Sequence, residues 1–296
     1  MAAIGELMMA TSRTTTAQPR AGRAAASGRG FPERYGAWAL VAGASEGLGA
    51  AYARALAARG MNLVLVARRP APLDALAQDL RDTFSVEARS CDGDLASAAF
   101  LDTLQAECSS LDLGVIVCNA AQAPIGDFAS RDTADLVRVV DVNVRAPLLL
   151  LRALLPEMTT RGRGAVIIMT SFTGHLGTPR IAAYAASKAF LRVLGESLWY
   201  ELKDHGIDVV ACSAGAVRTP GYAMAAGKDA PGTLDAGQVV EKTLRALSRG
   251  PVVMPGFVNR VATVFMTRLL PRRTAIAILA RSTDSLADLK ETKGTP

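Results

Sequence analysis

From about Tyr35 onward, short apolar runs alternate with longer segments in which apolar residues recur at helical spacing. The runs consist mainly of Val, Ile, Leu and Ala, which is typical of strands buried on both faces of a parallel sheet. They predict seven strands, at residues 38–42, 62–66, 86–91, 113–118, 165–169, 208–212 and 251–254. This alternation of strands and helices predicts an α/β fold with a single doubly wound domain, whose parallel sheet has about seven strands.

The pattern divides the chain into three parts. Residues 1–30 lack periodicity and are rich in Ala, Arg, Thr, Ser and Gly, which predicts a disordered tail. An organelle transit peptide, or a start codon placed too far upstream, would give the same composition. Residues 31–256 form the predicted domain, and residues 257–296 form a C-terminal amphipathic extension. Apolar residues and arginines interleave over 257–281, which predicts a helix packed on its own domain or on a partner subunit, with peripheral membrane contact as the alternative.

Composition and cysteine spacing argue against three kinds of function: nucleic-acid binding, a membrane span and metal binding. The formal net charge is +6, of which +3 comes from the first thirty residues, and the remainder is spread out, so the chain gives little support for nucleic-acid binding. No apolar run reaches the ~18 residues that a membrane span needs. The cysteines have no metal-ligand spacing, so we predict no metal site and expect buried, reduced thiols in a cytoplasmic protein. They are Cys91, Cys108, Cys118 and Cys212.

A glycine-rich turn follows the first predicted strand and precedes a helix. Its glycines are Gly43, Gly47 and Gly49, and the intervening Ser45, Glu46 and Leu48 belong to the same predicted contact surface. Missing side chains let a pyrophosphate approach the backbone, and the helix N-terminus offers N–H donors and a partial positive charge. Alone, such a turn is equally typical of an ordinary loop. Within a βαβ series it predicts a Rossmann-type nucleotide-binding domain.

Ser171, Tyr184 and Lys188 are the candidate catalytic residues. Tyr184 and Lys188 lie four residues apart, so on a helix they share one face. A nearby ammonium is expected to lower the pKa of the phenol from its ordinary value of about 10, which would make it an acid/base group near neutral pH. A serine hydroxyl beside it can hold a carbonyl oxygen. The set suits proton transfer to or from an oxygen while a hydride moves elsewhere.

From about Tyr35 to Pro255 the sequence resembles the short-chain dehydrogenase/reductase family. The family's Thr-Gly-x-x-x-Gly-x-Gly motif is present with Ala42 in place of threonine. Its Asn-Asn-Ala-Gly motif is similar to residues 118–121, where the final glycine is Ala121, and its Pro-Gly-x-Val-x-Thr motif is similar to 214–219, where Ala214 replaces proline. The order and spacing of these motifs are more specific than any one of them.

The resemblance implies a role for each member of a catalytic tetrad. Tyr184 is the expected proton donor in reduction, and Ser171 is expected to hydrogen-bond the reacting carbonyl. Lys188 is expected to lower the pKa of Tyr184 and to bind the nicotinamide ribose. Asn143 is expected to anchor a water relay, although an amide inside a helix often bonds only neighbouring backbone. The family's long helices, here 134–156 and 182–204, commonly pack across a two-fold axis, which implies a homodimer or homotetramer.

The resemblance also implies where the cofactor lies. The remaining expected contacts are Asp94, Leu95, Asn119, Ala120, Gly215, Val217 and Thr219, together with Tyr184 and Lys188. Asp92 is a rival for the role of Asp94. At the end of the second strand, a ribose 2′-hydroxyl favours an acidic residue and a 2′-phosphate favours arginine. Arg68 and Arg69 follow that strand and no acid does, so the sequence predicts NADP(H) in preference to NAD(H).

Residues 35–39 are similar to the entry of one branch of the family, which includes hydroxysteroid dehydrogenases and long-chain 3-ketoacyl reductases. Stretch 216–233 is predicted to be a loop in the position of the family's substrate loop, and His175 is a candidate for lining the substrate pocket. The similarity at the entry, the apolar loop with Tyr222 and Met224, and the C-terminal amphipathic stretch favour an oxidoreductase acting on a lipophilic ketone or secondary alcohol. The alternative is a non-catalytic dinucleotide-binding scaffold or redox-sensing regulator, because three familiar motif residues are replaced by alanine.

Overall fold

Seven parallel strands form the central sheet of the computed structural model, which describes residues 30–225 and 229–293. The predicted disordered tail therefore lies outside the described residues, apart from residue 30. All seven predicted strands are confirmed, with ends displaced by at most two residues. They are β1 (Trp38–Ala42), β2 (Asn62–Ala67), β3 (Ala88–Asp92), β4 (Leu113–Cys118), β5 (Gly164–Ser171), β6 (Ile207–Ala214) and, after two short strands described below, β9 (Val252–Val253).

The strand order is β3-β2-β1-β4-β5-β6-β9. Leu40 of β1 pairs with Val64 of β2 on one side and with Ile116 of β4 on the other. The direction of winding therefore reverses between β1 and β4. Ligands of doubly wound sheets bind at such a reversal, beyond the carboxyl ends of the strands. The predicted doubly wound, Rossmann-type α/β domain is confirmed.

Helices cover both faces of the sheet, so its five central strands are almost entirely buried, whereas the edge strands β3 and β9 are only partly buried. A second, two-stranded parallel sheet lies outside the main one and consists of β7 (Val217–Arg218) and β8 (Leu234–Asp235). The helices are α1 (Phe31–Tyr35), α2 (Gly47–Ala57), α3 (Pro70–Phe84), α4 (Ala98–Ser109), α5 (Thr133–Val140), α6 (Ala146–Arg161), α7 (Ala182–Leu202), α8 (Pro220–Ala225), α9 (Ala236–Ala246), α10 (Phe257–Val264) and α11 (Arg272–Lys293).

Three predictions need correction. The predicted helix 134–156 is two α-helices, α5 and α6, joined by a π-helical turn at Asp141–Arg145. The predicted loop 216–233 contains the short strand β7 and the helix α8, and its residues 226–228 lie outside the described part. The single helix predicted over 257–281 is wrong. A π-helical turn (Phe265–Leu269) follows α10, and Leu270 is extended (φ −90°, ψ 144°) because it precedes Pro271, which disfavours helical backbone before it.

Helix lengths and composition also bear on membranes. Within residues 30–225 and 229–293, no helix is both long enough and apolar enough to cross a bilayer.

Candidate active site

The glycine turn after β1 needs its glycines. Gly43 and Gly47 have positive φ angles of 83° and 57°, which side chains other than glycine rarely adopt. A Cβ atom on Gly49 would lie 1.9 Å from the carbonyl oxygen of Gly43, and one on Gly43 would lie 2.7 Å from Cα of Ala120. The first turn of α2 contains no acidic residue, and no side chain caps its N-terminus. The turn thus leaves backbone N–H groups open to a phosphate.

Asn119 fixes the end of β4 against this turn. Its side-chain Nδ2 donates to the carbonyl oxygen of Gly43 at 2.9 Å. The backbone N–H groups of Asn119 and Ala120 both donate to the carbonyl of Ala42, at 3.2 and 2.8 Å. The predicted contacts at the ends of β1 and β4 are therefore held together by direct hydrogen bonds, on either side of the reversal in the sheet.

Four of the charged residues that were predicted to contact the cofactor follow the ends of β1, β2 and β3 and border the cavity: Glu46, Arg68, Arg69 and Asp94. Arg69 is paired with Glu46, with Nη2 2.8 Å from Oε2, and both side chains are largely exposed. Arg68 forms no ion pair with a described residue, and it borders the same cavity as Asp94. The two predicted arginines are therefore in different states, one paired and one available to an added phosphate.

Arg138 is a functional candidate that the sequence analysis missed. It lies on α5 and donates to both carboxylate oxygens of Asp94, at 2.7 and 2.8 Å. These hydrogen bonds are the main reason that the pKa of Asp94 is lowered, and the charge of Arg68 adds to the effect. Leu95 borders the same cavity, whereas the rival Asp92 does not. The pair is formed between distant segments, so no motif marks it.

Ser171, Tyr184 and Lys188 border the same cavity as the glycine turn. Ser171 ends β5, and its Oγ accepts hydrogen bonds from the backbone N–H and the hydroxyl of Thr173, at 3.2 and 3.0 Å. Tyr184 and Lys188 lie one turn apart on α7, with Nζ 5.5 Å from the centroid of the phenol ring. The Nζ of Lys188 donates to the carbonyl of Met169 at 2.9 Å, which leaves two of its three donors for a ligand.

The protonation of this pair differs from the sequence-based expectation. Burial raises the pKa of Tyr184, and the hydrogen bond with Ser171 acts in the opposite direction. Lys188 is 2% exposed, and its burial lowers the pKa of the ammonium to about 8. The pKa of Tyr184 is thus raised, not lowered, because desolvation has the largest effect on this residue, as it does on Lys188.

Asn143 lies in the π-helical turn and is fully buried behind the cavity. Its Oδ1 accepts from the backbone N–H of Gln122 at 2.7 Å, and its Nδ2 donates to the carbonyl of Gln122 at 2.9 Å and to Oγ of Ser187 at 3.0 Å. Ser187 in turn donates to the backbone carbonyl of Tyr184 at 2.7 Å. The side chain of Asn143 thus ties the loop after β4 to the helix that carries Tyr184.

The remaining predicted residues lie on the segment after β6. Gly215, Val217 and Thr219 border the cavity, as does Tyr222 of α8. His175 does not: its Nε2 lies 3.1 Å from Oγ of Ser213, and burial lowers its pKa. The hypothesis that His175 lines the pocket is therefore wrong, because the 3₁₀ turn after β5 directs this ring toward β6 instead.

The cavity has a volume of about 880 Å³, which is within the range of cofactor and substrate sites. Among the predicted catalytic and cofactor-binding residues, only Gly49 and Asn143 do not border it; both support residues that do. Three features of the cavity fit a bound dinucleotide. They are the open backbone N–H groups at the N-terminus of α2, the space that Cβ atoms on the glycines of the turn would fill, and the free donors of Lys188. Among the described residues, no group of three His, Cys, Asp or Glu side chains is arranged to hold a metal ion.

Comparisons with known proteins agree with this geometry. A 7beta-hydroxysteroid dehydrogenase from Clostridium sardiniense is 36% identical over 64% of this chain and 73% of its own length. A very-long-chain 3-oxoacyl-CoA reductase from Neurospora crassa is 36% identical over 59% of this chain, which spans only 54% of that relative. A human relative is named inactive hydroxysteroid dehydrogenase-like protein 1 and is 35% identical over 60% of this chain and 54% of its own length.

Solved structures are similar over most of the fold. A structure of a 7beta-hydroxysteroid dehydrogenase has a TM-score of 0.81 and 27% identity, and the match covers 85% of this chain and 99% of that one. A short-chain dehydrogenase from Sphingobium yanoikuyae in complex with NADPH has a TM-score of 0.68 and 32% identity, over 74% and 86% of the two chains. The family model described as short chain dehydrogenase matches residues 37–229, more than half of the sequence. The chain belongs to the short-chain dehydrogenase family, whose members are NAD(P)-binding oxidoreductases.

Proposed function

We propose that this protein transfers a hydride between NADP(H) and a lipophilic ketone or secondary alcohol, with Tyr184 as the acid/base group. One observation carries the proposal: Ser171, Tyr184 and Lys188 border the same cavity as the glycine turn. A proton-transfer group and a dinucleotide-binding turn in one crevice are what carbonyl reduction requires, because hydride and proton must reach adjacent atoms.

Each residue has a role that its surroundings support. When bound, NADP(H) supplies or accepts the hydride. The hydroxyl of Tyr184 gives its proton to the substrate oxygen in reduction and takes it back in oxidation. Oγ of Ser171 holds that oxygen, and the two unused donors of Lys188 bind ribose hydroxyls. Asn143 acts as a positioning residue through Gln122 and Ser187; its place in a water relay remains a family-based proposal.

The preference for NADP(H) rests on charge at the end of β2. Arg68 has no ion pair among the described residues and is therefore available to a 2′-phosphate, while Arg69 shares its charge with Glu46. The complex of the Sphingobium relative with NADPH supports the same preference. The lipophilic substrate is supported by relatives named for steroid and very-long-chain acyl substrates.

The proposed assembly is a homodimer or homotetramer. Three helices carry apolar side chains that are between 39% and 52% exposed and lack a covering element in the described chain. These are Val137 and Val140 on α5, Leu148 and Leu149 on α6, and Phe190 and Val193 on α7. A second copy would bury them. The four cysteines are free thiols, which supports the proposed cytoplasmic setting.

The test is oxidation of NADPH with a panel of 3-ketoacyl thioesters, steroids and small ketones. We expect turnover of at least one bulky apolar ketone, and loss of that turnover in Tyr184→Phe with NADPH binding retained. If the parent protein binds NADPH but reduces no member of the panel, a binding scaffold becomes the better account. One of the similar proteins is itself named as inactive.

A further inference from the structure

Helix α10 directs polar residues inward, and large apolar residues of α10 and of the π-helical turn after it point outward, apart from Met266, which is buried. Asn259 and Thr263 are buried against the domain. The opposite side, which we name the outer face, consists of six large apolar side chains that are between 48% and 73% exposed. They are Phe257, Val258, Val261, Val264, Phe265 and Leu269. A surface helix of a monomeric protein normally has the reverse arrangement, so the outer face is the kind of patch that marks an interaction site.

Hydrogen bonds fix this orientation of the helix. Nδ2 of Asn259 donates to the carbonyls of Gly232 and Pro255, at 3.1 and 3.0 Å. The hydroxyl of Thr263 donates to the carbonyl of Asn259 at 2.8 Å. Thr263 also contacts Sδ of Met254, 2.8 Å from its hydroxyl and outside the helix. Rotating the helix to bury its valines would separate Asn259 from Gly232 and Thr263 from Met254, and losing such partners for buried polar groups is costly. The exposure of the outer face is therefore built into the fold.

The charge around the outer face indicates what covers it. Residues 257–281 contain five arginines and no Asp or Glu. Four of them surround the outer face or follow it directly, are exposed, and form no ion pair with any described side chain. These are Arg260, Arg268, Arg272 and Arg273. An apolar face bordered by unpaired arginines complements an anionic lipid surface, whereas a second copy of the same face would bring like charges together.

We infer that the outer face binds the surface of an anionic membrane, with α10 lying in the plane of the interface. The apolar side chains enter the boundary between headgroups and acyl chains, and the arginines contact the headgroups. Gly215 borders the candidate active site, and a Cβ on it would lie 2.8 Å from Asn259. The cavity wall and the membrane-facing helix are thus in direct contact. If the proposed function holds, this arrangement brings a lipophilic substrate close to the site; membrane binding itself does not depend on that function.

The experiment is flotation of the full-length protein with vesicles of phosphatidylcholine alone or with added phosphatidylserine. The first variant is V261S/F265S, which removes apolar area and keeps the charge. The second is R268Q/R272Q, and its matched control is R245Q/R249Q, which removes the same charge from exposed positions on and just after α9. All substituted positions lie on the surface, so each variant should remain folded, with at most a small fall in melting temperature for V261S/F265S, whose side chains are about half buried.

We expect binding only to the vesicles that contain phosphatidylserine, weakened by added salt because the arginine contribution is screened. Each arginine at an anionic surface contributes about fivefold, so R268Q/R272Q should bind about thirtyfold more weakly. V261S/F265S should lose at least about tenfold, and R245Q/R249Q should bind like the parent. Absence of vesicle binding at low salt, or an equal loss in the control, would overturn the inference. A lower mass of V261S/F265S by light scattering would instead assign the outer face to a second copy.

Discussion

Replacing Lys188 by methionine should stabilise the protein while it removes a proposed functional group. The ammonium is almost fully buried, and its pKa is lowered from 10.5 to about 8. At 1.36 kcal/mol for each pKa unit, holding the charge at pH 7 costs about 3 kcal/mol of folding free energy. The variant also loses the hydrogen bond to the carbonyl of Met169, worth about 1 kcal/mol. We therefore expect a net gain of about 2 kcal/mol at pH 7.

The pH dependence of this gain provides the sharper test. Because the folded pKa lies below the unfolded one, the penalty in the parent is complete below pH 8 and disappears as the pH rises toward 10.5. The penalty should fall to about 2 kcal/mol at pH 9 and about 1 kcal/mol at pH 10, so the advantage of the variant should nearly vanish there.

The assay is urea unfolding of the cofactor-free parent and Lys188→Met at several pH values between 7 and 10. Other titrating groups are shared, so the difference between the two proteins isolates Lys188. The control is Lys242→Met, at an exposed position of α9, which should change stability by less than about 0.5 kcal/mol. A variant less stable than the parent at pH 7, or a difference that is the same at pH 7 and pH 10, would refute the reasoning.

Three further predictions concern the site and the assembly. Tyr184→Phe should lower kcat by about 10²- to 10⁴-fold with an unchanged Kd for NADPH, measured by stopped-flow and fluorescence titration; activity within a few-fold of the parent would contradict its role. Arg68→Ala should weaken NADPH binding about ten- to a hundredfold and leave the Kd for NADH unchanged. Glu46→Gln should strengthen NADPH binding, because it releases Arg69 from its ion pair. Equal effects of either variant on the binding of both cofactors would argue against a 2′-phosphate contact. V140D/V193D should lower the mass measured by light scattering, because two exposed valines of the proposed interface become charged; an unchanged mass would place the interface elsewhere.

Local composition predicted the sheet well, because a short apolar run has few structural alternatives to a buried strand. Every residue of Trp38–Ala42 is buried, and a short apolar run between turn signals fits a strand of a covered parallel sheet. The convergence of the site followed from topology alone, since the carboxyl ends of parallel strands share one edge. The spacing of the motifs predicted that Ser171, Tyr184 and Lys188 share one site, and in the structure all three border one cavity.

What the sequence could not predict depends on contacts between distant residues and on burial. The pairing of Arg138 with Asp94 joins α5 to the loop after β3, and neither residue carries a motif that implies the other. The pKa values were predicted from charge alone, but desolvation has the larger effect on both Tyr184 and Lys188. The end of the helical backbone at Leu270 could have been predicted from Pro271, because a proline disfavours helical backbone at the residue before it.

The central position of β1 in the sheet affects how the chain can be made in a cell. Of the seven strands of the main sheet, β1 is synthesised first, yet one of its two partners, β4, ends only at Cys118. Until that segment has left the ribosome, Trp38–Ala42 has an open edge of backbone N–H and C=O groups on an apolar strand. Fragments that end before β4 should therefore aggregate or recruit chaperones, so biogenesis of this protein depends on completing β4.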